Sequence, residues 1–201
     1  VPDELVLMVA EVSELIACCF LGMDLCDIKN GDTVLVIGGG PIGIIMLQLA
    51  KMAGASKVIL SEPVESKRKL ALELGADLTI NPLEEDVSAV LADYTKNVNV
   101  VIECVGNVRT MQDAIQFAGK GATILYFGLA GPDDTVTIRP DDIFKKELKI
   151  TSSFINPYTF PRAIEVLASG QLDVTSIITQ VIPLEDIEEV FTNPELRRDG
   201  K

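Results

Sequence analysis

The stretch Thr33-Val-Leu-Val-Ile-Gly-Gly-Gly-Pro-Ile-Gly43 decides the fold. Its first five residues are apolar or β-branched, which is typical of a strand buried on both faces of a sheet. The glycines that follow fit G-x-G-x-x-G at Gly38, Gly40 and Gly43, directly after the strand and at the start of a helix-forming segment. Since the motif indicates dinucleotide binding only where it joins a strand to a helix, as it does here, the stretch predicts a dinucleotide-binding turn.

Each residue of the turn has a predicted task. Gly38 permits the tight turn out of the strand, Gly40 lets the backbone approach a pyrophosphate, and Gly43 lets the helix pack closely on the strand. Pro41 and Ile42 open the helix, where free N–H groups and the helix dipole favour bound phosphates. We therefore predict that all five residues bind a cofactor.

The rest of the chain alternates short apolar runs with segments of helical period, which is typical of a parallel sheet with helical crossovers. We predict an α/β Rossmann fold, a doubly wound six-stranded parallel sheet with helices on both faces, over residues 1–201 as one domain. Residues 1–30 are predicted as a helical lead-in and residues 171–201 as a tail with a short helix. Two acidic pairs, Asp133-Asp134 and Asp141-Asp142, are predicted to lie in surface turns. The strands are expected near 33–37, 58–62, 78–80, 100–105, 122–127 and 148–154.

Glu62 lies at the end of the second predicted strand, 22 residues beyond Gly40. An acidic residue at this place accepts hydrogen bonds from the adenosine ribose, and its charge would repel a 2′-phosphate. This favours NAD over NADP. Lys67 and Arg68 follow closely and could instead pair with a 2′-phosphate, but we expect one of them, with Lys67 as our candidate, to lie over the adenine.

The carboxyl ends of the middle strands supply the remaining candidates. Ligands of open parallel sheets bind beyond these ends. The strand near 100–105 ends with Val105 and is followed by Gly106, and the strand near 122–127 is followed by Gly128 and Leu129. We predict that these four residues contact the cofactor.

Composition excludes several classes of function. The chain has no histidine, so Ser-His-Asp and Cys-His catalysis and His-ligated metal sites cannot be formed within it. A net charge of −13 argues against nucleic acid or an anionic membrane as a partner. Four cysteines without a C-x-x-C pair, and no apolar run of membrane-spanning length, are expected of reduced thiols in a cytoplasmic protein.

Several motifs together resemble the medium-chain zinc-dependent dehydrogenases, most closely the sorbitol, butanediol and threonine dehydrogenase branch. They are residues 31–43, Leu-Gly-Ala-Asp at 74–77, Val-Ile-Glu-Cys-Val-Gly at 101–106, and Ser-Phe-Ile-Asn-Pro at 153–157. The resemblance implies that Ser153 and Phe154 also contact NAD. It further implies a homo-oligomer formed along the sheet edge near residues 148–154.

The resemblance implies a parent enzyme in which hydride passes between a secondary alcohol or polyol, or the matching ketone, and nicotinamide. In that family a zinc-bearing catalytic domain comes first, and nothing in this chain matches it, so we expect the isolated chain to be inactive. The resemblance implies that residues 1–30 are the helical junction from this missing domain and that residues 171–201 lead back to it. Glu14 lies 17 residues before Gly31, where the branch carries a carboxylate at or near zinc. The resemblance therefore makes Glu14 a candidate zinc residue.

Three other functions stay open from the sequence. The chain could be the cofactor domain of a zinc-free, NADPH-dependent quinone or enoyl reductase, or a non-catalytic module that senses NADH. A methyltransferase also has a glycine turn and an acidic residue at the end of its second strand. Gly43, inside an apolar helix, favours the dinucleotide over the last alternative.

Overall fold

A computed structural model describes residues 10–193 of the chain, and six parallel strands form its centre. The sheet order is β3-β2-β1-β4-β5-β6, and every neighbouring pair runs parallel. The order reverses at β1, which pairs with both β2 and β4, so a crevice opens beyond the carboxyl ends of these strands. The strands are β1 (Thr33–Ile37), β2 (Lys57–Ser61), β3 (Leu78–Ile80), β4 (Val100–Glu103), β5 (Thr123–Tyr126) and β6 (Lys149–Ser152).

Helices connect the strands and cover the sheet. Two short 3₁₀ helices, Thr175–Ile177 and Leu184–Asp186, precede the last helix. No helix within residues 10–193 is long and apolar enough to cross a membrane. The helices are α1 (Ser13–Cys26), α2 (Pro41–Met52), α3 (Glu65–Glu73), α4 (Val87–Tyr94), α5 (Val108–Phe117), α6 (Pro140–Lys146), α7 (Phe160–Ser169) and α8 (Ile187–Thr192).

Each face of the sheet carries its own hydrophobic core. Val34 and Val36 of β1 pack in one cluster with residues of α1, α2 and α7. Leu35 and Ile37 of the same strand pack in the other cluster with residues of α4 and α5. Successive strand residues point to opposite faces, so apolar side chains at all four of these β1 positions are the expected consequence of this arrangement. The predicted doubly wound Rossmann fold is confirmed.

The sixth strand is shorter than predicted. It ends at Ser152, so Ser153 and Phe154 lie in the loop that follows it. The predicted lead-in contains α1, and the predicted tail helix is found as α8. Residues 1–9 of the lead-in and 194–201 of the tail lie outside the described residues.

Asp141 and Asp142 lie in the first turn of α6, so the predicted surface turn was wrong at this position. Pro140 occupies the first helical position, where its missing N–H has no consequence. The carboxylates of the acidic residues next to it interact favourably with the positive end of the helix dipole. A seven-residue helix is too short for a helical hydrophobic period to be recognised in its sequence.

Candidate functional site

The glycine-rich turn joins β1 to α2 as the motif predicts. Gly38 has a left-handed φ of +101°, and its N–H donates to the carbonyl of Ser61 over 2.9 Å. An alanine Cβ at position 43 would lie only 1.8 Å from the carbonyl oxygen of Gly38. The helix therefore begins in direct contact with the turn, and a side chain at position 43 has no room.

Gly40 differs from its neighbours because nothing in the protein fills the space beside it. Its backbone is extended (φ −69°, ψ 178°), and a Cβ here would meet no atom within 4 Å. Pro41 follows at the first helical position, and no side chain caps the helix start. The open space lies against an uncapped helix N-terminus, a place that suits an anionic group such as a pyrophosphate.

Ile42 contributes to this geometry from the protein side. It is partly buried and packs against the core cluster that contains α1 and α2. Its side chain thereby ties the first turn of α2 to the core and keeps the helix start in place.

The carboxylate of Glu62 holds the glycine turn from the β2 side. The residue is 6% exposed, its Oε2 accepts the N–H of Gly39 at 2.6 Å, and its Oε1 accepts the N–H of Val64 at 2.9 Å. Each carboxylate oxygen has two acceptor sites, so each retains capacity for one further donor. Glu62 therefore fixes the turn and can still accept hydrogen bonds from a ligand hydroxyl.

The two basic residues beyond Glu62 have different surroundings. One guanidinium nitrogen of Arg68, Nη1, donates to the carbonyls of Glu62 and Pro63, at 2.8 and 2.6 Å. Lys67 lies half-exposed in α3, and the cavity described next is lined by other residues. That either residue covers an adenine stays a prediction.

A cavity of about 500 Å³ lies beyond the carboxyl ends of β1 to β4. This volume is in the usual range of small-molecule sites. Gly38, Glu62 and Val105 line it, so the structure brings three of the predicted residues together around one space. Leu83 and Asp113 line it from the β3 and α5 sides.

The exits of β4 and β5 form a second group beside the cavity. An alanine Cβ at Gly106 would lie 2.6 Å from the carbonyl oxygen of Leu129, and one at Gly128 would lie 2.2 Å from the Gly106 nitrogen. The two turns are thus in backbone contact. Val105 is half-exposed, and the Leu129 side chain is 94% exposed at the open end of the crevice.

Sequence reasoning missed Glu103, the last residue of β4. It is fully buried, and its carboxylate accepts hydrogen bonds from the N–H groups of Val105 and Gly106. The available signal was the same as for Glu62, an acidic residue at the end of an apolar strand. Ser153 and Phe154 lie farther along, at the exit of β6, with Phe154 83% exposed.

Glu14 is an exposed residue of α1. Its Oε1 accepts hydrogen bonds from the Asn156 amide at 3.1 Å and from the Cys18 thiol at 3.2 Å. Within residues 10–193, no three His, Cys, Asp or Glu side chains are grouped closely enough to hold a metal. The described part of the chain therefore contains no complete zinc site, and that Glu14 lies near a zinc ion stays a prediction.

All four cysteines are free thiols in the structure. Burial raises the pKa of Cys18 to about 11, and hydrogen bonding and proximity to Glu14 add to the effect. Burial alone raises the pKa of Cys26 to about 12, and it also raises the pKa values of Cys19 and Cys104. These thiols are protonated at neutral pH, as expected of packed residues and not of reactive nucleophiles.

The strand order, the switch point at β1 and the glycine turn define a Rossmann domain. A family model described as zinc-binding dehydrogenase matches residues 41–169, and the chain belongs to this family. The resemblance read from the sequence motifs is confirmed.

Curated relatives and solved structures agree with this assignment. The chain is 36% identical over 169 residues to scyllo-inosose 3-dehydrogenase of Thermotoga maritima, covering 81% of this chain and 42% of that protein. It is 33% identical to erythritol/L-threitol dehydrogenase of Mycolicibacterium smegmatis, covering 90% and 50%. A crystal structure described as a zinc-binding dehydrogenase of Sinorhizobium meliloti 1021, bound to NADP, superposes with a TM-score of 0.93. That structure is 37% identical, and the match covers 96% of this chain and 58% of that one.

The chain spans about half the length of the curated relatives that it matches. The family model covers the fold from α2 to α7, and β1 precedes the matched residues.

Proposed function

We propose that this chain binds NAD(H) and is the cofactor half of a zinc-dependent dehydrogenase that transfers hydride between a secondary alcohol or polyol and nicotinamide. The observation that carries the proposal is the carboxylate of Glu62, which lines the cavity and accepts the N–H of Gly39 in the glycine turn. A dinucleotide with its pyrophosphate at Gly40 brings its adenosine ribose to this carboxylate.

The preference for NAD over NADP follows from charge. Glu62 is an acceptor-only group in a buried place, so it binds ribose hydroxyls and repels a 2′-phosphate. The Arg68 guanidinium is directed at two backbone carbonyls, since its Nη1 donates to those of Glu62 and Pro63. Both hydrogen bonds use Nη1, which holds the guanidinium in place and leaves Nη2 and Nε as its remaining donors, so the preference for NAD rests on the charge of Glu62.

The second candidate is a cofactor domain of an NADPH-dependent reductase. Two observations favour it: Lys67 and Arg68 follow Glu62 directly in α3, and the similar structure from S. meliloti is bound to NADP. The first candidate predicts tighter binding of NADH and the second predicts tighter binding of NADPH, and a titration measures which of the two is found. A module that only senses NADH would also prefer NADH over NADPH. It would differ from the dehydrogenase because its full-length protein would not turn over a substrate.

The substrate class rests on the relatives. Those that match over most of this chain are named for inosose, arabinitol, erythritol, sorbitol and related polyols. Zinc in such an enzyme polarises the substrate oxygen. From this chain Glu14 is the residue proposed to lie near that zinc, with Asn156 fixing its carboxylate. We further propose a cytoplasmic homo-oligomer, for which β6 at the sheet edge offers a pairing surface.

The test is a titration of the 201-residue chain with NADH and with NADPH, followed by coenzyme fluorescence. The chain has no tryptophan, so the fluorescence background is low. We expect NADH to bind more tightly, with a dissociation constant of about 10–100 μM. Tighter binding of NADPH would overturn the NAD assignment and support the reductase.

Two variants locate the preference. Glu62→Ala removes a charged acceptor and is expected to weaken NADH binding by about 1.5–3 kcal/mol. Glu65→Gln is the matched control, because Glu65 lies three residues away, is exposed and pairs with Lys69. Equal effects of the two variants, or an unchanged affinity in Glu62→Ala, would remove Glu62 from the site.

A further inference from the structure

Glu103 is a buried carboxylate that the proposed function does not use. It is 0% exposed, and its Oε1 accepts hydrogen bonds from the Val105 N–H (2.8 Å), the Gly106 N–H (3.0 Å) and the Thr110 hydroxyl (2.8 Å). None of the ion pairs found in residues 10–193 includes it. Its charge is balanced by these oriented dipoles instead of a cation.

The same residue also holds the neighbouring strand exit. The backbone carbonyl of Glu103 accepts the N–H groups of Phe127 and Gly128, both at 2.9 Å. An alanine Cβ at Gly128 would lie 2.7 Å from Oε2 of Glu103 and 2.2 Å from the Gly106 nitrogen. The carboxyl ends of β4 and β5 therefore meet beside Glu103, whose carboxylate lies close against Gly128.

Val105 connects the carboxyl end of β4 to the glycine turn. A Cβ on Gly38 would lie 2.8 Å from Cγ2 of Val105, so the valine side chain is seated against the first glycine of the motif. On the other side of β1, the carboxylate of Glu62 holds Gly39. The turn is thus held between two carboxylates, one at the end of each strand that neighbours β1.

We propose that Glu103 is a positioning residue of the cofactor site, which fixes the wall formed by Val105, Gly106 and Leu129 beside the glycine turn. The proposal rests on the proposed dinucleotide function. A buried carboxylate without a cation is costly, and an apolar residue would fill the same volume at lower cost. A carboxylate is the side chain that accepts several converging N–H and O–H donors at once, which this wall requires.

The position of the wall predicts which half of a dinucleotide depends on Glu103. The cavity beside Glu62 includes Val105 but is not lined by Gly106 or Leu129, which lie toward β5. An adenosine phosphate fits within the cavity and the helix start. The nicotinamide half must extend past the wall, so displacement of the wall weakens NADH binding more than AMP binding.

The experiment uses the 201-residue chain with Glu103→Ala, Glu103→Gln and the control Val101→Ala. Val101 is buried in the same strand and packs in the cluster that contains α4 and α5, so its truncation destabilises β4 without touching the wall. In Glu103→Ala we expect NADH affinity to fall about tenfold or more, because small misplacements of binding groups are costly. We expect AMP affinity to fall by no more than about threefold, because Val105 is the only one of the three wall residues that lines the cavity.

Glu103→Gln separates positioning from packing. It keeps one oxygen for the three donors now held by Oε1, but it places an amide group near the Gly106 N–H, which lies 3.2 Å from Oε2. We therefore expect a partial loss of NADH affinity. Amide hydrogen exchange without ligand should accelerate at Val105 and Gly106 in both Glu103 variants, and it should be unchanged there in Val101→Ala.

The outcomes are distinct. Normal NADH affinity in Glu103→Ala, or equal losses of NADH and AMP binding that Val101→Ala reproduces, would overturn the positioning role. If Glu103→Ala does not fold, the NADH-to-AMP ratio and the exchange rates in Glu103→Gln decide the question. If the unaltered chain binds no coenzyme, the proposed function fails, and unchanged exchange at Val105 and Gly106 would then refute the role of Glu103 independently.

Discussion

Replacing Gly43 by alanine tests whether the third glycine of the motif serves the contact between helix and strand. The added Cβ would lie 1.8 Å from the carbonyl oxygen and 2.9 Å from the carbonyl carbon of Gly38. Both atoms belong to the backbone, so no side-chain rotation relieves the contact. Helix α2 would have to move away from the turn by more than about 1 Å to restore ordinary packing distances.

The expected cost follows from this displacement. Overpacking of a well-filled interior costs about 1–3 kcal/mol. The upper end applies here, because α2 is buried along most of its length and moves as a unit. For a domain of this size, about 3 kcal/mol lowers the melting temperature by roughly 6–12 °C.

Gly40→Ala is the matched control for this measurement. Its Cβ would meet no atom within 4 Å, and its φ of −69° is open to alanine. We expect its melting temperature to stay within about 2 °C of the unaltered chain, as for an exposed substitution. Its NADH affinity should fall more than about tenfold, because the new methyl group occupies the approach path of the pyrophosphate.

Thermal unfolding followed by circular dichroism, with and without NADH, measures both variants. The reasoning predicts opposite patterns: Gly43→Ala loses stability in the absence of ligand, and Gly40→Ala loses binding at normal stability. If Gly43→Ala melts with the unaltered chain, the close approach to Gly38 is not what requires glycine at position 43. If Gly40→Ala binds NADH normally, no phosphate passes over Gly40.

Two further predictions concern titrating groups outside the cavity. Burial raises the pKa of Cys18 to about 11 and that of Cys26 to about 12. We therefore expect these thiols to react slowly with a disulfide reagent at pH 8 in the native chain and rapidly in guanidinium. Rapid reaction of the native chain would contradict the packing described for them. Burial, followed by the charge of Glu103, raises the pKa of Tyr126 to about 12, and its hydroxyl donates to the carbonyl of Met111. The fold favours the neutral phenol, so this group's contribution to stability is fully present below pH 10 and is lost as the pH rises toward 12. Tyrosinate absorbance measures the titration, and Glu103→Gln should lower the midpoint; an unchanged midpoint would contradict the contribution of that charge.

The sequence predicted the fold because its signals are local. An apolar β1 between two cores, the glycines after it and the repeated helical periods all follow from what each segment must bury. Errors occurred where local signals are weakest. The seven-residue α6 has no readable period, and the end of β6 depends on how long its pairing with β5 continues.

The candidate site was predictable at residues whose role depends on their amino-acid type and their place in the chain. Gly38, Gly43 and Glu62 have tasks that follow from a missing Cβ or a charge at a strand end, and the structure places two of them, Gly38 and Glu62, around one cavity. Glu103 carried the same strand-end signal as Glu62. Its significance lies in contacts with Val105 and Gly128 that chain position does not reveal.

By itself, the sequence determined the class of fold, the place of the glycine turn and the family, because hydrophobic period and glycine spacing are properties of short segments. Only the tertiary structure decided which groups share one space. It turned the Arg68 guanidinium onto backbone carbonyls, joined the exits of β4 and β5 through Glu103, and seated Val105 on Gly38. These contacts join residues from separate strands and helices, and their distances are set by how the sheet twists and its helices pack, which no single segment encodes.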